Sequence, residues 1–286
     1  THLALCFLPS KRISFEQSSL YYNTLQNNIF SGLFVGQNLI TIKQIDSTNN
    51  FLKNSLSNSK PFTEGTVIMA ESQYAGRGQQ QNRWHSEDGK NLTFSILLNP
   101  VFLPLGQQFD LTRVVSLGII NALSPLLGDQ LKIKWPNDIY YADGKLGGIL
   151  IENIVQGGKI KNSVIGIGLN INQEKFPLEV PNAVSLKQIL LSDYDLKVIL
   201  SDICKNIEVL YLNLKAGHFD IVRKDYLARL YRLNERKMFK AKGQVFEGVI
   251  ENVREDGVLI LTSGSGTSEY TQKEIEFLNK TTDKQI

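Results

Sequence analysis

A chain of 286 residues, 42% apolar and 21% charged, is long enough to bury a core and has the composition of a packed globular protein, which excludes fibrous and disordered classes. Its 31 basic and 28 acidic side chains leave a formal charge of +3, and no basic run is dense enough to mark a nucleic-acid stripe. The two cysteines, Cys6 and Cys204, stand far apart without Cys-x-x-Cys or Cys/His spacing. That excludes a disulfide framework and a zinc site and favours a reducing, cytoplasmic setting.

In chain order, the apolar run from Leu3 to Leu8 has no basic segment before it and stops at Pro9. It is too short for a membrane span and unlike a signal peptide, so no membrane association is expected. Residues 1–33 read as an N-terminal extension, disordered or artefactual, without functional weight. Leu39, Ile40, Thr41 and Ile42 predict a strand. Asp46-Ser47-Thr48 then opens a helix, with Asp46 or Ser47 capping its first turn and Phe51, Leu52, Ser55 and Leu56 on one face.

A strand over 66–70 runs into a polar, Gly-rich loop over 73–89, and a further strand follows over 92–97. Helical spacing of Phe109, Leu111, Val114, Val115, Leu117, Ala122 and Leu123 predicts a helix over 108–127 that packs on the sheet. Strands are expected over 131–135, 146–152 and 164–171, the last two joined as a hairpin through Gly157-Gly158, which makes a mixed, mostly antiparallel sheet. Amphipathic helices over 196–214 and 219–230 complete a main domain over 34–233. From Asn234 the apolar period switches to two, with short strands over 238–241, 248–253, 258–261 and 269–271. This predicts a small β-barrel-like module over 234–286, docked on the main domain.

Four segments hold the residues that could carry chemistry. Gly76-Arg77-Gly78 follows a strand and continues through Gln79, Gln80, Gln81, Asn82 and Arg83 to Trp84. Glycine lets backbone N–H groups approach a ligand, and arginine supplies a fixed fork of donors for carboxylate or phosphate. Alone, Gly-Arg-Gly reads as a solvated turn; the extent of the loop and its aromatic end argue for more. Lys134-Trp135-Pro136-Asn137-Asp138 is a turn after a strand, notable for Trp135 and for the charges of Lys134 and Asp138. In Lys145-Leu146-Gly147-Gly148-Ile149-Leu150 a lysine opens an apolar strand thinned by two glycines. Gly166-Ile167-Gly168-Leu169-Asn170 bares one strand face; no helix follows, so a dinucleotide motif is a weak reading.

Taken together, in this order and spacing, these segments resemble the catalytic domain of the biotin protein ligases, from about Phe34 to the C-terminal module. The resemblance implies an α+β fold: a class II aminoacyl-tRNA-synthetase-like catalytic domain with a mixed β-sheet flanked by helices, plus a small C-terminal SH3-like β-barrel. It implies ATP-dependent formation of biotinyl-5′-AMP and transfer of biotin to a lysine of a biotin carboxyl carrier protein, with Mg²⁺ brought in on the ATP phosphates. It assigns Ser47, Thr48, Asn49 and Gln73 to the biotin ureido end. Gly76, Arg77, Gly78 and Gln79 would fold over biotin, and Gly148, Gly166 and Gly168 would line its pocket. Asn82, Trp84, Lys134, Asp138 and Asn170 would meet ATP or the adenylate, with Trp84 near adenine and Asp138 and Asn170 near the phosphates or Mg²⁺. Lys145 and Arg77 would be the catalytic pair.

The inventory suits the reaction. A carboxylate must attack the α-phosphorus of ATP, so two anions have to be brought together; Lys145, Arg77 and loop amides would neutralise that repulsion. No enzyme nucleophile is needed, and no Ser/His/Asp or Cys/His constellation is present. The sequence departs from the family where further arginines are common: Gln79, Gln80, Gln81 and Asn82 stand there instead. The alternative is a lipoate ligase or octanoyltransferase, and the latter needs a reactive cysteine, whereas Cys204 sits on an apolar helix stripe. Some family members add a winged helix; residues 1–33 show no such pattern, so no DNA binding is expected. A homodimer through the sheet edge is an analogy only. His85 is left without a role, and His2 and His218 read as surface residues.

Overall fold

The computed structural model describes residues 23–24, 30–57, 62–79, 82–180 and 182–278. Most of the N-terminal extension, with His2 and Cys6, lies outside them, as do Gln80, Gln81 and Pro181 of the segments read above.

An eight-stranded sheet forms the body, in the order β1-β2-β3-β4-β8-β7-β6-β5. Its strands are β1 (Asn23–Thr24), β2 (Leu39–Ile45), β3 (Val67–Gln73), β4 (Leu92–Leu98), β5 (Leu131–Lys134), β6 (Asp138–Tyr141), β7 (Gly144–Gln156) and β8 (Lys159–Leu169). Only β2 and β3 run parallel, with Ile45 opposite Gln73; every other pair is antiparallel, so the mixed, mostly antiparallel sheet is as expected. Strand β4 is buried along its whole length, and its alternation sorts residues to two layers. Phe94, Ile96 and Leu98 face the main core, while Leu97 joins Ile42, Ile68 and Val164 under Leu52 of helix α1 (Thr48–Ser55).

The main core is roofed by α2 (Phe109–Leu127), α4 (Leu196–Lys215) and α5 (Phe219–Ala228), preceded by the short α3 (Leu186–Leu190). The helical stretch Leu105–Gln130 is long and apolar enough to cross a membrane. Its Leu111, Val114, Val115, Ile119, Ile120 and Leu123 are nevertheless core residues packed between sheet and helices.

Several elements differ from the sequence reading. Neither Asp46 nor Ser47 caps α1 with its side chain; the first-turn amide of Thr48 donates instead to Gln73 Oε1 at 2.8 Å. Strand β6 was not foreseen: it begins at Asp138, the last residue of what reads as a turn, and Trp135, Pro136 and Asn137 are the tip of a β5–β6 hairpin that pairs Lys134 with Asp138. Helix α3 was missed although Ser185 and Gln188 form a capping box at its start. The β7–β8 hairpin turns at Gly157 and Gly158 as expected, both at positive φ.

The C-terminal module is a five-stranded antiparallel sheet in the order β12-β11-β10-β9-β13. It comprises β9 (Arg236–Ala241), β10 (Gln244–Val253), β11 (Leu259–Ser263), β12 (Gly266–Tyr270) and β13 (Ile275–Phe277). The expected barrel does not close: β12 and β13 remain separate edges, and β13, three residues long, spends its pairing on β9.

The module is held to the body by a buried arginine. Arg113 of α2 is 1% exposed, ion-paired with Asp110 at 2.6 Å, and donates to the backbone carbonyls of Val253, Arg254 and Glu255. Arg223 of α5 bridges Asp110 and Glu255, and Trp135 Nε1 donates to Gly257 O at 2.8 Å.

Candidate functional site

A cavity of about 450 Å³ opens between α1, the 76–84 loop, the β5–β6 turn, the start of β7, the end of β8 and strand β13. It gathers segments that lie far apart in sequence. Ser47, Thr48, Asn49, Gln73, Arg77, Gly78, Gln79, Asn82, Trp84, Lys134, Asp138, Lys145, Gly148, Gly166 and Gly168 all line it. Gly76 stands behind the wall, its carbonyl accepting from Trp84 N at 3.1 Å. Asn170 lines a neighbouring cavity that shares Asn82, Trp84, Asp138 and Lys145 with this one. Its side-chain amide donates to Lys145 O and Val184 O, so it props the start of β7.

One end is a closed polar relay. Gln73 Oε1 accepts from both the amide and the hydroxyl of Thr48, at 2.8 and 3.1 Å. Ser95 Oγ, fully buried on β4, lies 2.7 Å from Thr48 Oγ1 and donates to Asn49 Oδ1 at 2.6 Å. Asn49 Nδ2 donates to Glu152 Oε2 at 2.9 Å. Gly166 is required by this packing, since a Cβ there would stand 2.5 Å from Asn49 Oδ1.

The described residues of the loop over 76–84 tie its two ends together. Arg77 and Arg83 bridge, Gly78 N donates to Asn82 O at 2.7 Å, and Trp84 N reaches back to Gly76. Trp84 is laid against β8: a Cβ on Gly168 would meet its indole at 2.4 Å. Gly166 and Gly168, which line the cavity, thus also seat Asn49 and Trp84. Two loop donors, Arg77 Nε and Trp84 Nε1, are buried without a partner. Arg77 forms an ion pair with Glu152, which also takes Lys53 Nζ at 2.8 Å. Burial raises the Glu152 carboxyl, but hydrogen bonds from Lys53, Arg77 and Asn49 outweigh it and hold the group below the usual carboxylate range.

The far end is cationic. Lys145 Nζ pairs with Asp138 Oδ1 at 2.7 Å, over the bare face of Gly148. Half-exposed pairs of this kind contribute about 0–1 kcal/mol, so an incoming anion can take Lys145 over. Lys134 turns away, donating to the Tyr140 hydroxyl at 3.0 Å and lying over the rings of Tyr140 and Phe277. Burial lowers its pKa and pushes the Tyr140 hydroxyl up to about 12. Tyr140 therefore stays protonated.

Sequence reasoning missed Ser95 and Glu152, which hold Asn49, and the wall made by Gln272 with Ile275, Glu276 and Phe277 of β13. Glu152 had a legible signal, a charge inside an apolar strand; the β13 residues had none, because only docking brings them here. Cys204 is fully buried, with its thiol raised by burial and by Glu208, and lies away from the cavity. His85 lines the neighbouring cavity.

Gly168→Ala is expected to lift the Trp84 indole off β8 and shift tryptophan emission, with the fold retained. A spectrum identical to wild type would show that the ring does not rely on the bare strand.

Residues 41–170 match the biotin/lipoate A/B protein ligase family. The chain is 29% identical over 245 residues to the bifunctional ligase/repressor BirA of Bacillus spizizenii, covering 85% of this chain and 74% of that one. To the biotin–[acetyl-CoA-carboxylase] ligase of Mycobacterium tuberculosis it is 28% identical over 234 residues, 80% of this chain and 85% of that one. The biotin protein ligase of Aquifex aeolicus, solved in complex with biotin and ATP, superposes with a TM-score of 0.71 at 28% identity, covering 85% of this chain and 99% of that one. On its fold, the content of its cavity and these likenesses, the chain carries a biotin/lipoate A/B protein ligase domain over residues 41–170 and is similar to the biotin protein ligases.

Proposed function

We propose that the chain is an ATP-dependent biotin–[acetyl-CoA-carboxylase] ligase that makes biotinyl-5′-AMP and transfers the biotinyl group to a lysine of a biotin carboxyl carrier protein. The observation that carries this reading is a single cavity with a closed polar relay at one end, Lys145 held only by a weak, part-exposed pair with Asp138 at the other, and an unpartnered Arg77 Nε in the loop between them. Its volume of about 450 Å³ falls in the ~300–1,000 Å³ range of small-molecule sites.

The relay of Thr48, Asn49 and Gln73, with Ser47 at the same end, would hold the ureido group. Its donors and acceptors are fixed by one another and need no rearrangement on binding. Lys145 would leave Asp138 for the biotin carboxylate and the α-phosphate, and Arg77 would close from the loop. A carboxylate oxygen then bonds to the α-phosphorus as pyrophosphate departs, and the cations stabilise charge on the phosphoryl oxygens. Asn82 and Trp84 would cover the nucleotide, with Lys134 behind it. Among the described residues no three His, Cys, Asp or Glu side chains form a metal cluster. That suits a Mg²⁺ ion held chiefly by ATP phosphates with Asp138 as its protein carboxylate, and such an ion would share the phosphate charge. In the second step the acceptor amine attacks the anhydride carbonyl and AMP leaves. The loop's role there is to exclude water.

Incubating the protein with ATP, Mg²⁺, a biotin carrier domain and either biotin or lipoate tests this reading. Biotin-dependent mass gain on the carrier is the expected result; gain with lipoate alone would replace it with the lipoate-ligase alternative. The buried Cys204 argues against an octanoyltransferase. In the same assay, free biotinyl-adenylate is expected in solution, because Gln79 and Asn82 offer the phosphate no charge. Gln79→Arg should reduce that release several-fold, and unchanged release would show that the loop's charge does not govern retention.

A cytoplasmic location, an SH3-like identity for the C-terminal sheet and the absence of DNA binding are part of this proposal. A salt-dependent, sequence-specific shift of operator DNA would overturn the last. For a homodimer, the β5 edge is already taken by Arg229 and Tyr231, which bond Ile133. Strand pairing would therefore use the β1 side, and sedimentation reads the mass.

A further inference from the structure

Glu152 stands inside β7, and its carboxylate gathers donors from two other segments: Asn49 and Lys53 from α1 and Arg77 from the loop. We propose that Glu152 is a positioning residue that anchors the adenylate loop, through Arg77, to the same carboxylate that orients the Asn49 amide, before either substrate arrives. This deepens the ligase reading and rests on it for the identity of the substrates.

The geometry argues for a single device. Asn49 has its amide oxygen committed to Ser95, while its amide nitrogen donates to Glu152 Oε2 at 2.9 Å and to Leu150 O at 3.3 Å, so the carboxylate oxygen takes the shorter of the two bonds that hold the amide nitrogen. The same oxygen takes Arg77, whose Nε is left buried and unpartnered. A guanidinium with an unused donor beside a cavity is held but not satisfied. It can be drawn to a substrate anion without the loop having to be ordered first. Lys53, on the other carboxylate oxygen, keeps Glu152 charged when Arg77 moves.

Trypsin cleavage after Arg77 and Arg83 in the ligand-free protein, together with biotin KM and kcat, tests the role. Glu152→Gln keeps size and removes charge. Cleavage is expected to accelerate about tenfold and biotin KM to rise about tenfold, with kcat within about twofold, because a charge-assisted hydrogen bond of this kind is lost. Glu152→Asp, which keeps the charge one methylene further back, should fall between. If the Gln variant does not fold, the Asp variant is read alone, and cleavage at the wild-type rate overturns the proposal. Unchanged cleavage in Glu152→Gln, or a kcat loss with unchanged KM, overturns it too. The cleavage arm needs no turnover, so it decides even if wild type shows no biotin-dependent pyrophosphate release, an outcome that would remove the ligase reading separately.

Discussion

Lys145→Ala is expected to cut biotinyl-adenylate formation by about 10²–10³-fold or more, with the thermal midpoint moved by no more than a few degrees. Removing one preorganised donor from a developing oxyanion costs on this scale, and here the donor must also offset repulsion between carboxylate and phosphate. The fold does not depend on it. Lys145 is half-exposed, its one partner is Asp138 at 2.7 Å, and pairs of that exposure add at most about 1 kcal/mol. Pyrophosphate release under saturating biotin and ATP reads the effect. A variant that keeps a tenth of the wild-type rate would move the central charge role to Arg77 or to the metal.

Arg113→Ala is expected to have the largest effect on stability, about 3–5 kcal/mol in a denaturant titration, because it breaks a fully buried ion pair and leaves the Asp110 carboxylate with Arg223 as its remaining cation. Asp110 is completely buried, and three carbonyls of the C-terminal module would lose their donor. Burial lowers the Arg113 pKa while Asp110 opposes that shift. The module should loosen, and with it the β13 wall of the cavity. A loss below about 1 kcal/mol would show that Arg223 alone suffices to neutralise Asp110.

What was legible in the sequence followed local pattern. Helices α2 and α4 and the β7–β8 hairpin are written in apolar period and in Gly157-Gly158, and the structure has them within a few residues. The motif residues were legible too: all but Gly76 and Asn170 line one cavity. What was not legible was partnership. Nothing local told that Gly166 seats Asn49 or Gly168 seats Trp84. Nor did it tell that Gln73, rather than Asp46 or Ser47, completes the first turn of α1. The C-terminal module is a sheet of the expected small antiparallel kind, and strand count and spacing do not state whether its outer strands meet; here β12 and β13 do not.

The one parallel pairing in the sheet has a consequence for how the site tolerates insertion. Because β2 and β3 run the same way with Ile45 abreast of Gln73, the chain leaves both strands at a common rim. The segment beginning at Asp46 and the segment beginning at Tyr74 thus start side by side, and Tyr74 and Ala75 are tied to Ile45 and Asp46 by backbone hydrogen bonds. Adding one residue within β3 just before Gln73 would turn Gln73 to the opposite face. The Thr48 amide and hydroxyl would then lose their shared acceptor at the end of the cavity, which makes strand register a determinant of the site in its own right.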